Sequence, residues 1–300
     1  AYILYKEFLN FDPNDPNWFN RDRFILSAGH ESALQYVLLT MIGWLELDDL
    51  KKFRQLHSKT PGHPEIEMDG VECTTGPLGQ GFGMSTGMAL AESFLHNTIK
   101  SIDKEASSLV NHFTYVIASD GDMQEPITLG SASLSGHLGL SNLIVFYDSN
   151  EVQISGGVSR SDSTDYGVVF KGFGWHVQKI DGHDHDSIRI AIRKAQKSNQ
   201  PSLIIGETIM AKGSNGMEGD FNTHGAPLPQ DEIDSTKVKL GIKSEPFYLP
   251  EEVITYFRSD FQSQTNKVKS WNNKLTSMQQ NLDFKTFWNV TIENNLPRLE

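Results

Sequence analysis

The feature that most limits the possible folds is an apolar run, Leu143 to Tyr147, in which polar residues do not alternate. A strand with one face in water alternates apolar and polar residues, so an unbroken run indicates a strand buried on both faces. Similar runs bounded by Gly, Asp and Asn predict strands at residues 112–119, 143–148, 175–180 and 202–208. Helical patterns alternate with them at residues 32–42, 48–56, 83–96, 129–138, 165–173 and 186–197. This alternation predicts an α/β fold, a parallel sheet flanked by helices on both faces.

Composition and charge exclude several classes of protein. The 300 residues are 38% hydrophobic and 21% charged, which is unlike disordered, collagen-like or coiled-coil chains. The net charge of −12 repels phosphate backbones, so no nucleic-acid partner is expected. The longest apolar stretch, residues 34–45, falls short of the roughly 20 residues that span a bilayer, so no membrane anchor is expected. One cysteine, Cys73, and no signal-peptide pattern favour the cytoplasm.

Polar residues follow two of the predicted strands. Asp120 and Gly121 end the first strand, and Asn150 and Val152 follow the second. In a parallel sheet, ligands collect at the carboxyl ends of the strands. If the two strands are neighbours, the Asp120 carboxylate, the Asn150 amide oxygen and a carbonyl near Val152 form an oxygen set suited to Mg²⁺ or Ca²⁺. Asp-Gly and Ser-Asn are also ordinary strand-to-helix turns, so spacing alone leaves both interpretations open.

A glycine-rich loop and three histidines are further candidates for ligand binding. The loop at residues 74–83 lacks the spacing of a dinucleotide fingerprint and the lysine of a P-loop. His30, His63 and His224 each lie beside glycine, where the side chain can face a ligand. Each of them alone is more often an ordinary turn or core histidine.

The motifs taken together resemble the thiamine-diphosphate-binding half of a transketolase. They occur in the family's order along residues 1–241, and the likeness continues more loosely to residue 300. The clearest are NRDRF at 20–24, KTPGHPE at 59–65, TTGPLGQG at 74–81, YDSN at 147–150 and HGAPL at 224–228. The resemblance implies a thiamine-diphosphate-binding domain at residues 1–245, followed by a peripheral helical segment at 246–300 that leads towards a linker.

The resemblance also implies the residues that hold the cofactor. The family's thiamine motif is Gly-Asp-Gly followed by Asn about thirty positions further on. Here Asp120 and Asn150 are thirty positions apart. Asp120, Asn150 and the carbonyl of Val152 would hold Mg²⁺ or Ca²⁺. The residues that would face thiamine diphosphate are Gly121, His30 and His224 at the diphosphate, Leu78 and Ile154 beside the thiazolium ring, and Gly76 near the aminopyrimidine.

The implied activity is transfer of a two-carbon ketol unit from a ketose phosphate to an aldose phosphate in the pentose phosphate pathway. The cofactor supplies the electron sink, and the protein supplies placement and proton transfer. His63, His224 and His30 match histidines around the substrate oxygens. Glu125 matches the carboxylate that links the paired active sites of a homodimer.

Two departures and two missing parts qualify the resemblance. Ser119 and Pro126 stand where the family usually has Gly. The family's opening segment would precede Ala1. Its pyrimidine-binding domain, which completes the site of the partner subunit, would follow Glu300, so this chain alone is expected to be incomplete.

The alternatives are a subunit of a two-chain transketolase-like enzyme, a dihydroxyacetone synthase, and a non-catalytic module of the same fold.

Overall fold

A parallel five-stranded sheet forms the centre of the fold. The computed structural model describes residues 1–154 and 156–295. The strands are β1 (Arg23–Leu26), β2 (Thr114–Ser119), β3 (Leu143–Ser149), β4 (Val152–Gln153), β5 (Gly156–Gly157), β6 (His176–Asp181) and β7 (Ser202–Glu207). The central sheet has the order β1-β2-β3-β7-β6, and β4 and β5 form a separate antiparallel hairpin. All four pairings of the central sheet are parallel, which confirms the predicted α/β class.

Helices cover the sheet and extend beyond it. They are α1 (Ser32–Ile42), α2 (Leu47–Leu50), α3 (Gln80–Ile102), α4 (Asp120–Gln124), α5 (Pro126–Leu138), α6 (Tyr166–Gly172), α7 (His185–Ala195), α8 (Gln230–Leu240), α9 (Glu251–Phe257), α10 (Phe261–Met278) and α11 (Leu282–Thr291). No helix of the described residues is both long and apolar enough to cross a membrane.

Both faces of the sheet are buried, because successive residues of a strand point to opposite sides. In β2, Tyr115 and Ile117 belong to one apolar cluster with α1 and α7, whereas Val116 and Ala118 belong to a second cluster. The second cluster includes residues of α3, α5 and α6. The apolar run of β3 is therefore buried on both sides, as its lack of alternation predicts.

The prediction misses the strand β1 and extends one helix too far. No strand is predicted at β1, which is only four residues long and begins with Arg23. The helix predicted at residues 48–56 is wrong beyond Leu50. Arg54 has a positive φ of 60°, and its amide donates to the Thr60 carbonyl at 2.8 Å, so the chain turns back there.

The polar segment after residue 250 is helical and packs on the sheet-containing part. Phe284 and Trp288 of α11 are buried with Leu109 and with Ile99 of α3. The Trp271 indole of α10 donates to the Leu109 carbonyl at 3.0 Å. Residues 296–300 of the predicted segment lie outside the described residues. Apolar positions at helical spacing therefore make a third cluster beside α3.

A buried glutamate on α3 makes stability depend on pH. Glu92 accepts a hydrogen bond from the Asn142 amide at 2.7 Å, and burial raises the pKa of Glu92 to about 7. The folded state therefore holds this proton more tightly than the unfolded state, whose ordinary pKa is 4.5. Protonated Glu92 therefore contributes favourably to the free energy of unfolding at low pH, and this contribution is lost as pH rises to about 7.

We expect Glu92→Gln to remove this dependence. Urea unfolding should find the variant more stable than the wild type at pH 8 by about 1–2 kcal/mol, after discounting for partial solvation, with the difference shrinking towards pH 5. A difference of the same size at every pH contradicts the assignment.

Candidate functional site

The tips of β2 and β3 are neighbours at the carboxyl edge of the sheet. Ser119 of β2 is in register with Asp148 of β3. Asp120 is the first residue of α4. Its carboxylate accepts hydrogen bonds from the backbone amides of Asn150, at 3.2 Å, and Glu151, at 3.0 Å. The two tips predicted to act together therefore lie on the same rim of the sheet, in direct contact.

Asp120 is a buried carboxylate, with 4% of its surface exposed. Its second oxygen accepts a hydrogen bond from the Tyr147 hydroxyl at 2.6 Å. Burial raises the pKa of Asp120, and the hydrogen bonds from Tyr147, Asn150 and Glu151 oppose that shift. A cation close to this carboxylate would favour its charged form further.

Asn150 is held in a tight turn whose backbone amides donate to Asp120. Its side-chain oxygen accepts a hydrogen bond from the Val152 amide at 3.0 Å, and its side-chain nitrogen donates to Asp148 at 3.0 Å. Glu151, between Asn150 and Val152, has a positive φ of 59°. The turn thus orients the Asn150 oxygen while leaving it a second lone pair.

The structure explains both departures from the family pattern. Ser119 is the N-cap of α4: its hydroxyl accepts from the Asp122 amide at 3.3 Å and donates to the Asp122 carboxylate at 2.9 Å. Pro126 is the first residue of α5, where a missing N–H costs little. Each departure therefore suits the helix start at which it lies.

Leu78 lies directly over Gly121. A Cβ at Gly121 would be 2.7 Å from Leu78 Cδ1, so a larger residue would displace that leucine. Gly79 follows Leu78 with a φ of 78° and is the N-cap of α3, and a Cβ there would be 2.8 Å from that of Glu125. The glycine-rich loop and the turn after β2 therefore approach each other closely, with Glu125 at their border.

His30 and His224 are paired across the cleft. Their ring centroids are 5.2 Å apart, and the pKa of each is lowered by burial. The charge of His224 lowers the pKa of His30 further. Both shifts favour the neutral form of the imidazoles. Nδ1 of His224 is buried and has no hydrogen-bond partner among the described residues.

These residues line one open cleft of about 510 Å³. It contains nine of the eleven predicted site residues: His30, Leu78, Asp120, Gly121, Glu125, Asn150, Val152, Ile154 and His224. The other two, His63 and Gly76, lie beside each other outside its lining, and a Cβ added at Gly76 would be 3.4 Å from the His63 ring. Ile154 is 76% exposed at the rim.

Two acidic residues of this region were not predicted. Glu31 lines the cleft beside His30, and burial raises the pKa of Glu31 to about 8, with the charges of Asp148 and Asp122 adding to the shift. Nothing in its local sequence indicates this position. Asp122 lies beneath the cleft and is fully buried. The Ser119-x-x-Asp122 spacing is that of a capping box and was a usable signal.

Within the described residues, no three His, Cys, Asp or Glu side chains cluster in a way that could hold a metal. The predicted cation ligands are of a different kind, namely one carboxylate, one amide oxygen and one backbone carbonyl. Such a set suits Mg²⁺ or Ca²⁺, which prefer oxygen ligands.

Comparison with known proteins identifies the family. The family model described as the thiamine diphosphate binding domain of transketolase matches residues 1–297. A transketolase of Staphylococcus epidermidis is 47% identical over 279 residues, which cover 92% of this chain and 42% of that relative. A transketolase 2 of Vibrio parahaemolyticus is 44% identical, with coverages of 93% and 42%.

A solved structure gives the same result. The transketolase from Leishmania mexicana superposes with a TM-score of 0.93 at 35% identity, covering 98% of this chain and 44% of that one. The chain thus spans less than half the length of the relatives it matches. It belongs to the transketolase family, as a thiamine-diphosphate-binding domain of that family.

Proposed function

We propose that this chain binds the diphosphate half of thiamine diphosphate in a transketolase. The whole enzyme would transfer a two-carbon ketol unit from a ketose phosphate to an aldose phosphate, in the pentose phosphate pathway. The observation that carries the proposal is the contact between the Asp120 carboxylate and the turn at Asn150, at the edge of one cleft. Family membership and the histidine pair support the same function.

The cleft fits a hard cation and a diphosphate. Asp120, Asn150 and the carbonyl of Val152 would hold Mg²⁺ or Ca²⁺, because all three offer oxygen. Gly121 allows the diphosphate to approach the backbone, and His30 and His224 would face it. The unpartnered Nδ1 of His224 is a polar atom that a bound ligand would satisfy.

The remaining residues would place the rings and the sugar. Leu78 and Ile154 would flank the thiazolium ring, and Gly76 would lie near the aminopyrimidine. When bound, thiamine diphosphate supplies the electron sink for cleavage of the sugar's carbon–carbon bond. His30, His63 and His224 would bind substrate oxygens, and a neutral imidazole can accept a proton from a hydroxyl.

We also propose that the full-length enzyme is a homodimer in which the partner's pyrimidine-binding domain completes the site. Exposed apolar side chains on α3 and α5 support this arrangement: Met84, Leu90, Phe94, Ile127, Leu134 and Leu138. Surface apolar residues grouped in this way are typical of a protein interface. Glu125 lies at the start of the same helix pair and would link the two sites.

Two further proposals rest on the sequence. The cofactor-binding unit would be residues 1–245, with residues 246–300 forming a helical segment that leads towards a linker. A cytoplasmic location is proposed from the single cysteine, Cys73, which is buried and free.

Calorimetric titration of the full-length protein tests the proposed function. We expect one thiamine diphosphate per chain, bound only when Mg²⁺ or Ca²⁺ is present, and a sedimentation mass of two chains. Absence of binding with either cation, in the presence of a pyrimidine-binding domain, contradicts the proposal and favours a non-catalytic module.

A further inference from the structure

Asp122 joins three chain segments beneath the cofactor cleft. One oxygen of its carboxylate accepts hydrogen bonds from the Ser27 hydroxyl, at 2.6 Å, and the Gly79 amide, at 2.7 Å. The other oxygen accepts from the amide and the hydroxyl of Ser119, both at 2.9 Å. The three segments are the end of β1, the glycine-rich loop and the turn after β2.

The network extends into α3. The Ser27 hydroxyl, which donates to Asp122, accepts a hydrogen bond from the Phe82 amide at 3.0 Å. Asp122 is 0% exposed and Ser27 is 0% exposed, so water does not compete for these bonds. A carboxylate is the only side chain of this size that accepts from four donors at once without offering a hydrogen of its own.

The bonds to Asp122 determine what lies on the cleft floor. Gly79 is bonded to Asp122, and the preceding residue, Leu78, lies over Gly121. Ser119 is bonded to Asp122, and the following residue, Asp120, is the predicted cation ligand. The same carboxylate therefore fixes both sides of the cleft from beneath, without lining it.

We propose that Asp122 is a positioning residue that sets the spacing between the glycine-rich loop and the diphosphate turn, and through it the affinity for cofactor. The inference rests on the proposed function, because the affinity concerned is that for thiamine diphosphate. Replacing a residue that orients the ligands of a bound metal typically costs about 10–100-fold in metal affinity.

Asp22 provides a matched control at the opposite end of the sheet. It is also a buried carboxylate, 4% exposed, that joins separate segments, and it accepts from the amides of Asn10 and Phe113 at 2.8 Å each. It precedes β1 at the amino edge, away from the cleft. A merely structural role for Asp122 predicts that Asp122→Asn and Asp22→Asn act alike.

The test measures cofactor binding and hydrogen exchange in the full-length protein. We expect Asp122→Asn to weaken binding of thiamine diphosphate with Mg²⁺ by about tenfold or more, while kcat at saturating cofactor changes less than about threefold. Amide exchange should rise at residues 79–82 and 119–122 and stay unchanged in β3 and β7. Asp22→Asn should lower stability and leave cofactor affinity unchanged.

Ser27→Ala is a milder variant in case Asp122→Asn does not fold. It removes one of the four bonds at a residue that does not line the cleft, and we expect about two- to fivefold weaker binding. Unchanged affinity in both variants overturns the inference, as does an equal loss in Asp22→Asn. Failure of the wild-type protein to bind cofactor would instead contradict the proposed function.

Discussion

Replacing Asp120 by alanine is expected to abolish metal-dependent binding of thiamine diphosphate. Asp120 is the only carboxylate of the proposed ligand set, and without it the protein offers the cation only two neutral oxygens. We expect the affinity measured by calorimetry with Mg²⁺ to fall by at least about 100-fold. Asn150→Ala should act in the same direction, because it removes the second ligand and the bond that orients the Val152 turn.

Asp181→Ala is the control for this experiment. Asp181 also ends a strand, β6, and its carboxylate accepts a hydrogen bond from the His183 amide at 2.8 Å. It lies at the far edge of the sheet, so its removal should leave cofactor affinity unchanged. Retained affinity in Asp120→Ala, or equal losses in both variants, means that the cation is held elsewhere.

Gly136→Ala is expected to cause the largest loss of stability of any substitution considered. A Cβ at this position of α5 would be 1.8 Å from the Phe173 carbonyl oxygen, a backbone atom that no rotamer change can move. Trp175, two residues after Phe173, also holds α5 in place, because its indole donates to the Ala132 carbonyl at 2.8 Å. We expect the free energy of unfolding in urea to fall by about 2–4 kcal/mol.

Gly130→Ala on the same helix is the matched control. Apart from the adjoining backbone of its own helix, a Cβ at Gly130 would meet no atom of the described residues within 4 Å. Alanine also favours a helix interior by about 1 kcal/mol over glycine, so the variant should be as stable as the wild type or more stable. Equal destabilisation by the two substitutions would show that Gly136 of α5 does not pack against the Phe173 backbone.

Four strands of the central sheet could be predicted from their apolar runs, including the partly exposed edge strand β6. The strand β3 is recognisable because no polar residue interrupts its apolar run. The strand β1 was missed because it has only four residues, begins with an arginine and forms by pairing with β2. The helix predicted over residues 48–56 ends at Leu50 because the following residues form contacts with a later part of the chain. The bond from Arg54 to Thr60 is a loop contact that helical spacing does not reveal.

The site was predictable to the extent that it depends on neighbouring strand ends. Asp120 and Asn150 follow strands that pair directly, so their contact follows from the sheet. Asp122 depends instead on Ser27 and Gly79, which are 95 and 43 positions away. The capping-box spacing indicates one of its partners, Ser119, but the two distant contacts required the folded chain.

The most direct test of the shared cation site is a crystal structure of the full-length protein with Ca²⁺ and thiamine diphosphate. Anomalous scattering would locate the calcium independently of the protein model. We expect one calcium at about 2.3–2.6 Å from side-chain oxygens of both Asp120 and Asn150 and from the Val152 carbonyl, in contact with the diphosphate. Calcium bound to the diphosphate but to neither side chain would contradict the account.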